Sequence, residues 1–443
     1  MQHINVLGAG LAGCEAAWQA AERGVKVKLF EMKPHKMTPA HHSNGFAELV
    51  CSNSLRSDCV SNAVGLLKEE MRRFDSLIMQ AADATRVPAG SALAVDRTQF
   101  SKYITDRIRN HPNIEVIEEE VSSLEEGVVT VIATGPLTSD AMANFIKDDL
   151  GCGKLHFFDA AAPIVDAATI NMDVAFFASR YDKGDADYIN CPMNKEQYDA
   201  FWQALTTAEE AELKEFDRQE QEKITVFEGC MPVEVMAKRG YETLRFGPLK
   251  PVGLIDSRTG EESYAVVQLR RENAEGTMYN LVGFQTHLTF GEQRRVFRMI
   301  PGLENAEFLR YGIMHRNTYL DSPGMLDSTY RMIAKDNVYF AGQMTGVEGY
   351  IESAASGFMA GLSAARSLMG LDRIEFSRRT MIGAMSSYVS NGGVSGKFVP
   401  MNANFGIVEP LGYKVKGGKI AKYEVVSKRA LDEIDAIKEK YSL

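Results

Sequence analysis

The stretch Gly8-Ala9-Gly10-Leu11-Ala12-Gly13 decides the fold of this chain. An apolar run, residues 4–7, precedes it, and a segment rich in small residues follows. A second apolar run ends on Glu31, 18 residues after Gly13. In such a unit the first glycine makes a tight turn, the second lets backbone approach a pyrophosphate, and the third packs helix on strand, while the acid accepts a ribose hydroxyl. The stretch therefore predicts a dinucleotide site, and the alternative interpretation is an ordinary glycine-rich turn.

The composition limits the class of protein. The chain has 443 residues, 45% of them hydrophobic, so two or three domains are expected. No apolar run is long enough to cross a membrane, and the first strand begins almost at Met1, so we expect a cytoplasmic protein without a leader. A net charge of −10 argues weakly against non-specific nucleic-acid binding, although a local basic face remains possible.

The cysteines give no sign of a metal site. None of the six is paired in a Cys-x-x-Cys motif, so neither zinc nor a disulfide framework is indicated. In a reducing compartment we expect free thiols, and a buried small residue is the usual role for each. The six are Cys14, Cys51, Cys59, Cys152, Cys191 and Cys230.

Two later strands favour FAD over NAD as the dinucleotide. The strand that ends at Gly135 returns the chain to the nucleotide site, and a late strand ends at Gly342 before a helix that begins near Glu352. The N-terminus of that helix would stabilise negative charge on a reduced flavin. Because no second glycine triplet stands in the right context, NADH or NADPH would bind only transiently at the flavin. The residues expected to bind the cofactor are Gly8, Ala9, Gly10, Leu11, Ala12, Gly13, Glu31, Arg97, Gly135, Gly342, Glu352, Ser353 and Gly357. Arg97 could instead form a surface ion pair.

Several stretches resemble one known group of flavoproteins. The stretch from Phe340 to Gln343, followed by Gly349 to Ala355, resembles the C-terminal flavin motif of the GidA-like tRNA-modifying flavoproteins. Gln343 stands where many related flavoproteins place an aspartate, and it is included among the cofactor-binding residues. Residues 37–41, 50–55, 90–97, 246–254 and 314–319 are similar to the folate- and FAD-dependent tRNA uracil-5-methyltransferases of that superfamily. The resemblance covers nearly the whole chain and is weakest over the last thirty or so residues.

The resemblance implies a fold, and the changing character of the residues along the chain indicates a division into domains. The expected class is α/β: a Rossmann-like FAD-binding domain of the glutathione-reductase and GidA type with an inserted α/β domain. Residues 1–155 form the first part of the FAD-binding domain and residues 156–285 form the inserted domain. Residues 286–443 form the second part, with a basic segment near the C-terminus. This segment, residues 411–430, contains six Lys or Arg residues and only one acidic residue, a Glu.

The resemblance also implies a reaction. Members of the family transfer the methylene carbon of 5,10-methylenetetrahydrofolate to C5 of the T-loop uridine of tRNA and reduce it to methyl with FADH2, giving 5-methyluridine. Uracil C5 becomes nucleophilic once a thiolate adds at C6, and a base must then remove the C5 proton. By resemblance, Cys230 attacks C6, and Cys51 assists near the flavin as the proton acceptor.

Four further residues are candidates for binding folate or uridine. Tyr350 could cover the pterin as an aromatic lid, although a core role is equally open. Asn53 lies in the polar loop of Cys51, and His315 and Arg316 could hold a flipped base. Candidate RNA-binding clusters are the segment 411–430, Arg270-Arg271, and the run Arg294, Arg295 and Arg298. Each of these clusters could equally be a solvated face.

Four other functions stay open at the level of sequence. A paralogue could act with the same chemistry on a ribosomal-RNA uridine. The wobble-uridine modifying flavoprotein shares the late flavin motif, but it is considerably longer. An NAD(P)H–flavin oxidoreductase with a small substrate would need no RNA, and a non-catalytic flavin-binding protein would not need the cysteines. We expect a monomer or a weak homo-oligomer with no membrane association.

Overall fold

The computed structural model describes most of the chain. It covers residues 2–38, 40–152, 157–182, 185–211, 231–256, 258–271, 276–317, 319–392, 398 and 400–443. Cys230, the nucleophile expected from the resemblance, lies outside the described residues.

Strands and helices alternate in the first part of the chain. The strands are β1 (His3–Leu7), β2 (Lys26–Glu31), β3 (Ser54–Ser57), β4 (Arg86–Val87), β5 (Ala92–Val95), β6 (Ile114–Glu118), β7 (Val129–Ile132), β8 (Phe157–Ala161), β9 (Ile164–Asp166), β10 (Phe176–Ala178), β11 (Tyr188–Met193), β12 (Ala265–Arg271), β13 (Met278–Leu281), β14 (Phe308–Arg310), β15 (Ile313–Asn317) and β16 (Val338–Phe340). The α-helices are α1 (Leu11–Glu22), α2 (Ala63–Arg73), α3 (Leu77–Ala84), α4 (Arg97–Arg109), α5 (Asp140–Asp148), α6 (Lys195–Thr206), α7 (Val233–Arg239), α8 (Thr243–Phe246), α9 (Phe290–Phe297), α10 (Tyr350–Leu368), α11 (Met381–Asn391) and α12 (Gly418–Tyr441).

Five parallel strands form the central sheet, in the order β16-β7-β1-β2-β6. Leu7, Ile132 and Phe340 lie side by side in register, so β1, β7 and β16 end at the same edge of the sheet. Ligands of open α/β sheets bind outside the carboxyl ends of the strands. The α/β class expected from the sequence is confirmed, and the sheet brings three chain segments that are far apart in sequence to one candidate site.

Helices α1 and α10 approach each other closely at two glycines of α10. A Cβ atom added at Gly357 would lie 2.2 Å from the carbonyl oxygen of Ala12, and one at Gly361 would lie 2.4 Å from that of Ala16. Real Cβ contacts are never this short, so the close approach of the two backbones requires glycine at both positions. The late helix is thereby fixed behind the N-terminal glycine turn.

The inserted domain contains a separate, antiparallel sheet with its own core. Its six strands follow the order β10-β11-β12-β13-β9-β14. The apolar core continues through Val296 and Phe297 of α9 to Ala306, and β14 pairs with β9. Helix α9 and strand β14, which follow residue 285 in the sequence, pack with the core and the sheet of this domain. The two-stranded ribbon of β8 and β15 forms both connections to the first domain.

The C-terminal helix α12 lies against helix α2. The hydroxyl of Ser427 donates to the carbonyl of Val60 at 2.6 Å, and the guanidinium of Arg73 donates to the carbonyl of Leu431 at 3.0 Å. Within the described residues, no helix combines the length and the apolar character that crossing a membrane requires.

Candidate active site

The three glycines of the N-terminal turn meet different steric constraints. Gly8 has φ +95°, and a Cβ there would lie 2.6 Å from the carbonyl oxygen of Ala133. A Cβ at Gly13 would lie 1.8 Å from the carbonyl oxygen of Gly8, so this position fixes the helix on the turn. A Cβ at Gly10 would meet no atom within 4 Å, because this residue faces an open groove. Gly10 is therefore the position at which backbone is left bare toward a ligand.

The groove lies beyond the carboxyl ends of β1, β2, β7 and β16. It holds about 1200 Å³ of empty space, its open mouth included. Most residues expected to bind the cofactor line it: Gly8, Ala9, Gly10, Leu11, Ala12, Glu31, Gly135, Gly342, Gln343 and Ser353. Tyr350, expected to contact substrate, lines it as well.

Glu31 is held in place by backbone amides at the floor of the groove. One carboxylate oxygen accepts from the N–H of Ala9 at 2.8 Å, and the other accepts from the N–H of Lys33 at 3.0 Å. The residue is buried, and these two bonds compensate part of the cost of burying its charge. A hydroxyl that entered the groove beside Ala9 would meet this carboxylate.

The long segment after β2 supplies groove residues to which sequence reasoning gave no role. Lys33, Thr38, His41 and Glu48 all line the groove. The ammonium of Lys33 donates to the carbonyls of Ser43 at 3.2 Å and of Gly45 at 2.6 Å, so it folds the segment back on itself. Burial, followed by the positive charge of Lys33, lowers the pKa of His41. The sequence signal that could have indicated a role for these residues is the stretch 37–41, which is described above only for its resemblance.

Further wall residues follow β6 and β7. They are Glu119, Glu120, Val121, Pro136, Leu137, Thr138 and Ser139. Neither stretch carries a motif, so only the parallel sheet shows that they meet at the groove.

Cys51 and Tyr350 are in direct contact at the edge of the groove. The phenol oxygen of Tyr350 accepts from the N–H of Cys51 at 2.8 Å and lies 3.0 Å from its sulfur. The N–H of Ser52 lies 3.3 Å from the same oxygen. The structure thus brings a predicted thiol and a predicted aromatic lid together, although 299 positions separate them in sequence.

Asn53 does not face the groove. It is fully buried, and its side-chain amide donates to the carbonyls of Val95 at 3.1 Å and of Arg271 at 2.6 Å. Arg270 donates to the hydroxyl of Ser52 at 2.5 Å and to the amide oxygen of Asn53 at 3.3 Å. Asn53, expected to bind substrate, therefore ties the Cys51 loop to strand β12 of the inserted domain.

Four residues expected to bind the cofactor lie outside the groove lining. Gly13 and Gly357 make the close backbone contacts described above, and the guanidinium of Arg97 donates to the carbonyls of Leu49 at 2.7 Å and Val50 at 3.4 Å. The buried carboxylate of Glu352 forms an ion pair with Arg56 and accepts from the N–H of Ala403 at 2.9 Å. These four residues position the groove's walls rather than line it.

The candidate RNA-binding arginines of α9 are committed to internal contacts. Arg294 donates to the hydroxyl of Tyr311 at 2.9 and 3.1 Å, Arg295 pairs with Glu292 at 2.6 Å, and Arg298 donates to the carbonyl of Ala306 at 2.8 and 3.0 Å. His315 and Arg316 belong to β15, whose backbone pairs with β8; their side chains lie outside the described part.

Of the other cysteines, three have the character of core residues. Burial raises the pKa of Cys14 and Cys191 far above the ordinary range and that of Cys152 to about 11, so these thiols stay protonated. Cys59 is exposed. In the part of the chain that the structure describes, no group of His, Cys, Asp and Glu side chains could hold a metal ion.

The fold and the groove define a Rossmann-type nucleotide-binding protein. The family model described as glucose inhibited division protein A matches residues 3–372. Relatives named methylenetetrahydrofolate–tRNA-(uracil-5-)-methyltransferase TrmFO match over the full length. The relative from Acetivibrio thermocellus is 60% identical over 442 residues, 100% of both chains. That from Bacillus pumilus is 56% identical, covering 98% of this chain and 99% of its own. The chain therefore belongs to the GidA family and, within it, to the TrmFO group.

Solved structures show the same fold at low sequence identity. GidA from Aquifex aeolicus, in its form II crystal, is 17% identical and superposes with a TM-score of 0.70. The match covers 99% of this chain and 75% of the GidA chain. The form I crystal gives a TM-score of 0.68 at the same identity. The resemblance inferred from the motifs is thus confirmed at the level of family and of fold.

Proposed function

We propose that this protein is a folate- and FAD-dependent tRNA uracil-5-methyltransferase. It would transfer the methylene carbon of 5,10-methylenetetrahydrofolate to C5 of the T-loop uridine and reduce that carbon to methyl. The observation that carries the proposal is the 60% identity, over the whole chain, to a relative named for this reaction. The arrangement of the groove supports it independently.

The residues of the groove fit FAD. The bare backbone at Gly10 leaves room for a pyrophosphate at the N-terminus of α1, where unpaired N–H groups favour anions. The carboxylate of Glu31 lies beside Ala9, where it could accept ribose hydroxyls. Gly342 and Gln343 would border the ring system, together with the N-terminus of α10. Bound FAD in its reduced form would supply the electrons that the reaction needs.

Folate and uridine would meet at the mouth of this groove. Tyr350 lies in the first turn of α10 and lines the groove, so its ring is available to a flat pterin. Its hydroxyl holds Cys51 at the same place. Gly349 has φ +121°, and this backbone conformation at the start of the helix favours glycine.

By resemblance, two cysteine thiols have separate roles in the chemical steps. The thiolate of Cys230 adds to uracil C6, and the electron pair displaced onto C5 forms the bond to the methylene carbon. Cys51 takes the C5 proton. Release of the methylene carbon from the folate nitrogens frees tetrahydrofolate and leaves an exocyclic methylene on C5; two electrons with one proton then convert it to methyl as the Cys230 thiolate leaves C6. The products are 5-methyluridine, tetrahydrofolate and oxidised FAD.

The remaining partners belong to the same proposal. NADH or NADPH would reduce the flavin transiently, since the sequence has no second glycine motif for a nicotinamide domain. We propose a cytoplasmic protein that acts as a monomer or a weak homo-oligomer.

Methyl transfer into RNA tests the proposed function directly. The purified protein is incubated with NADPH, unmodified tRNA and methylenetetrahydrofolate labelled at the methylene carbon; the RNA is then digested and analysed by mass spectrometry. Labelled 5-methyluridine from the T-loop is expected. Label found only when ribosomal RNA replaces tRNA would change the target. Absence of label from both RNAs, with FAD bound, would contradict the proposal in favour of a flavin oxidoreductase.

A further inference from the structure

The basic segment 411–430 contains three exposed lysines that have no ionic partner among the described residues. Arg429 donates to the carbonyls of Glu409 and Pro410, and Lys428 pairs with Asp432 at 2.9 Å. Lys414, Lys416 and Lys422 are exposed and form no ion pair with any described residue, and the side chain of Lys419 lies outside that part. Three positive charges are therefore left unneutralised within nine residues.

The local helix chemistry makes this charge unfavourable for the isolated protein. Helix α12 begins at Gly418, its first turn contains no acidic residue, and its N-cap, Gly417, makes no side-chain hydrogen bond. A helix N-terminus carries partial positive charge, so lysines close to it are unfavourable. A polyanion bound at this place would offset both the dipole and the lysines.

Exposed apolar side chains lie among these lysines. Tyr413 is 65% exposed and Ile420 is 64% exposed, both high for large apolar residues. An aromatic ring between basic residues is typical of surfaces that contact nucleic acid, because the ring can stack on a base or a sugar. We call Tyr413, Lys414, Lys416, Ile420 and Lys422 the lysine surface.

A short chain of contacts connects the lysine surface to the candidate active site. Tyr423, next to Lys422, stacks on Phe405 with ring centroids 4.1 Å apart. Phe405 follows Ala403 by two residues, and the N–H of Ala403 donates to Glu352 in the first turn of α10. Tyr350 of the same turn lines the groove. The lysine surface is therefore linked to the wall of the groove by a continuous set of contacts.

We propose that the lysine surface binds the sugar-phosphate backbone of the RNA substrate, away from the reacting base. The inference rests on the proposed function, because it takes tRNA as the polyanion. The α9 arginines and Arg270 are less suited to this role, since they are committed to internal contacts. Contacts to phosphate position a protein on a nucleic acid and carry no sequence information. The surface would thus contribute affinity and orientation rather than choice of base.

The test is a salt titration of tRNA binding by the full-length flavoprotein. In the variant K414Q/K416Q/K422Q, affinity for an unmodified tRNA transcript should fall at least about tenfold at roughly 0.15 M salt. Its slope of log affinity against log salt should become shallower by about 2–3, because each lost phosphate contact removes about 0.7–0.9. The control K102Q/K195Q/K238Q removes the same charge from lysines that already pair with Asp106, Asp199 and Glu210. It should keep the wild-type slope.

Three outcomes would overturn the inference. One is an unchanged slope in the lysine variant, when its flavin content and its thermal midpoint equal those of the wild type. Another is an equal loss of slope in the control variant. The third is reduced binding to vesicles of anionic phospholipid with tRNA binding intact, which would assign the surface to a membrane. If wild-type protein binds tRNA but transfers no methyl group, the proposed function fails while the slope comparison still decides the role of the lysines.

Discussion

Gly10 shows how one residue can separate cofactor binding from folding. Its backbone has φ −75° and ψ −172°, a conformation open to any residue, and a Cβ there would meet only the groove. By contrast, a Cβ at Gly13 would collide with the backbone of the turn. A side chain at position 10 therefore occupies the proposed pyrophosphate site without disturbing the fold.

We expect Gly10→Val to fold normally and to lose bound flavin. The isopropyl group would fill space that the pyrophosphate needs, so the affinity for FAD should fall by about tenfold or more, equivalent to about 1.4 kcal/mol or more, and flavin per mole of protein should fall with it. Visible absorbance measures the flavin, and circular dichroism checks the fold. The smaller Gly10→Ala serves as a graded control. Full flavin content in Gly10→Val would place the cofactor elsewhere.

Lys68 holds the end of strand β3. Its ammonium donates to the carbonyl of Ser57 at 2.7 Å, and the residue is fully buried. Burial lowers its pKa to about 7, against the opposing effect of Asp58. Between pH 7 and about 10.4 the unfolded chain therefore binds more protons at this residue than the folded chain, so its contribution to stability rises with pH.

The variant Lys68→Met should reveal this dependence. The free energy of unfolding of the wild type, relative to the variant, should increase from pH 7 to pH 9 by up to about 1.4 kcal/mol per pH unit. Urea denaturation at three pH values measures it, and Lys102→Met, at an exposed helix lysine, corrects for the loss of one positive charge. Parallel stability curves for wild type and Lys68→Met would show that the ammonium is not penalised by burial.

At the scale of elements, contact between α1 and α10 fixes the groove. The N-terminus of α1 faces the groove, and α10 carries Tyr350 into it. Gly357 and Gly361 let the two helices approach, so any side chain between them would move one wall relative to the other. The small residues of α10 thus determine, through packing, where the walls of the groove lie relative to each other.

We expect Gly361→Ala to destabilise the protein by about 1–3 kcal/mol, since its Cβ would lie 2.4 Å from the carbonyl oxygen of Ala16. The gain in helix propensity, up to about 1 kcal/mol, does not offset this clash. Gly291→Ala is the matched control, because Gly291 is also helical and its Cβ would meet nothing within 4 Å. Thermal unfolding compares the two, and equal stability of both variants would contradict the packing argument.

Elements with local signals could be predicted from the sequence, and long-range contacts could not. The glycine spacing predicts β1, α1 and β2 because turn, helix and acid act within one short unit. Glu352 was expected at the flavin because it opens a helix, yet its partner Arg56 comes from a strand 296 positions earlier. Asn53 was expected at the substrate, but its amide is bound by Arg271, 218 positions later. No local sequence pattern indicates contacts between residues that lie so far apart in the chain.

For the whole molecule, the domains meet at the Cys51 loop. Arg270 and Arg271 of the inserted domain hold Ser52 and Asn53, while Tyr350 of the first domain holds Cys51. Helix α9 and strand β14, which follow residue 285, carry no motif that assigns them to either domain; only their packing associates them with the inserted domain. The Cys51 loop thus contacts both domains at the edge of the groove.

We propose that a flavin in this groove enables methyl transfer from folate to RNA. The most direct measurement compares wild type and Gly10→Val for incorporation of labelled methylene carbon into T-loop uridine, with NADPH and tRNA in excess. We predict labelled 5-methyluridine from the wild type and none from the folded, colourless variant. Equal incorporation by both proteins would contradict the claim, because the carbon would then reach uridine without a cofactor at Gly10.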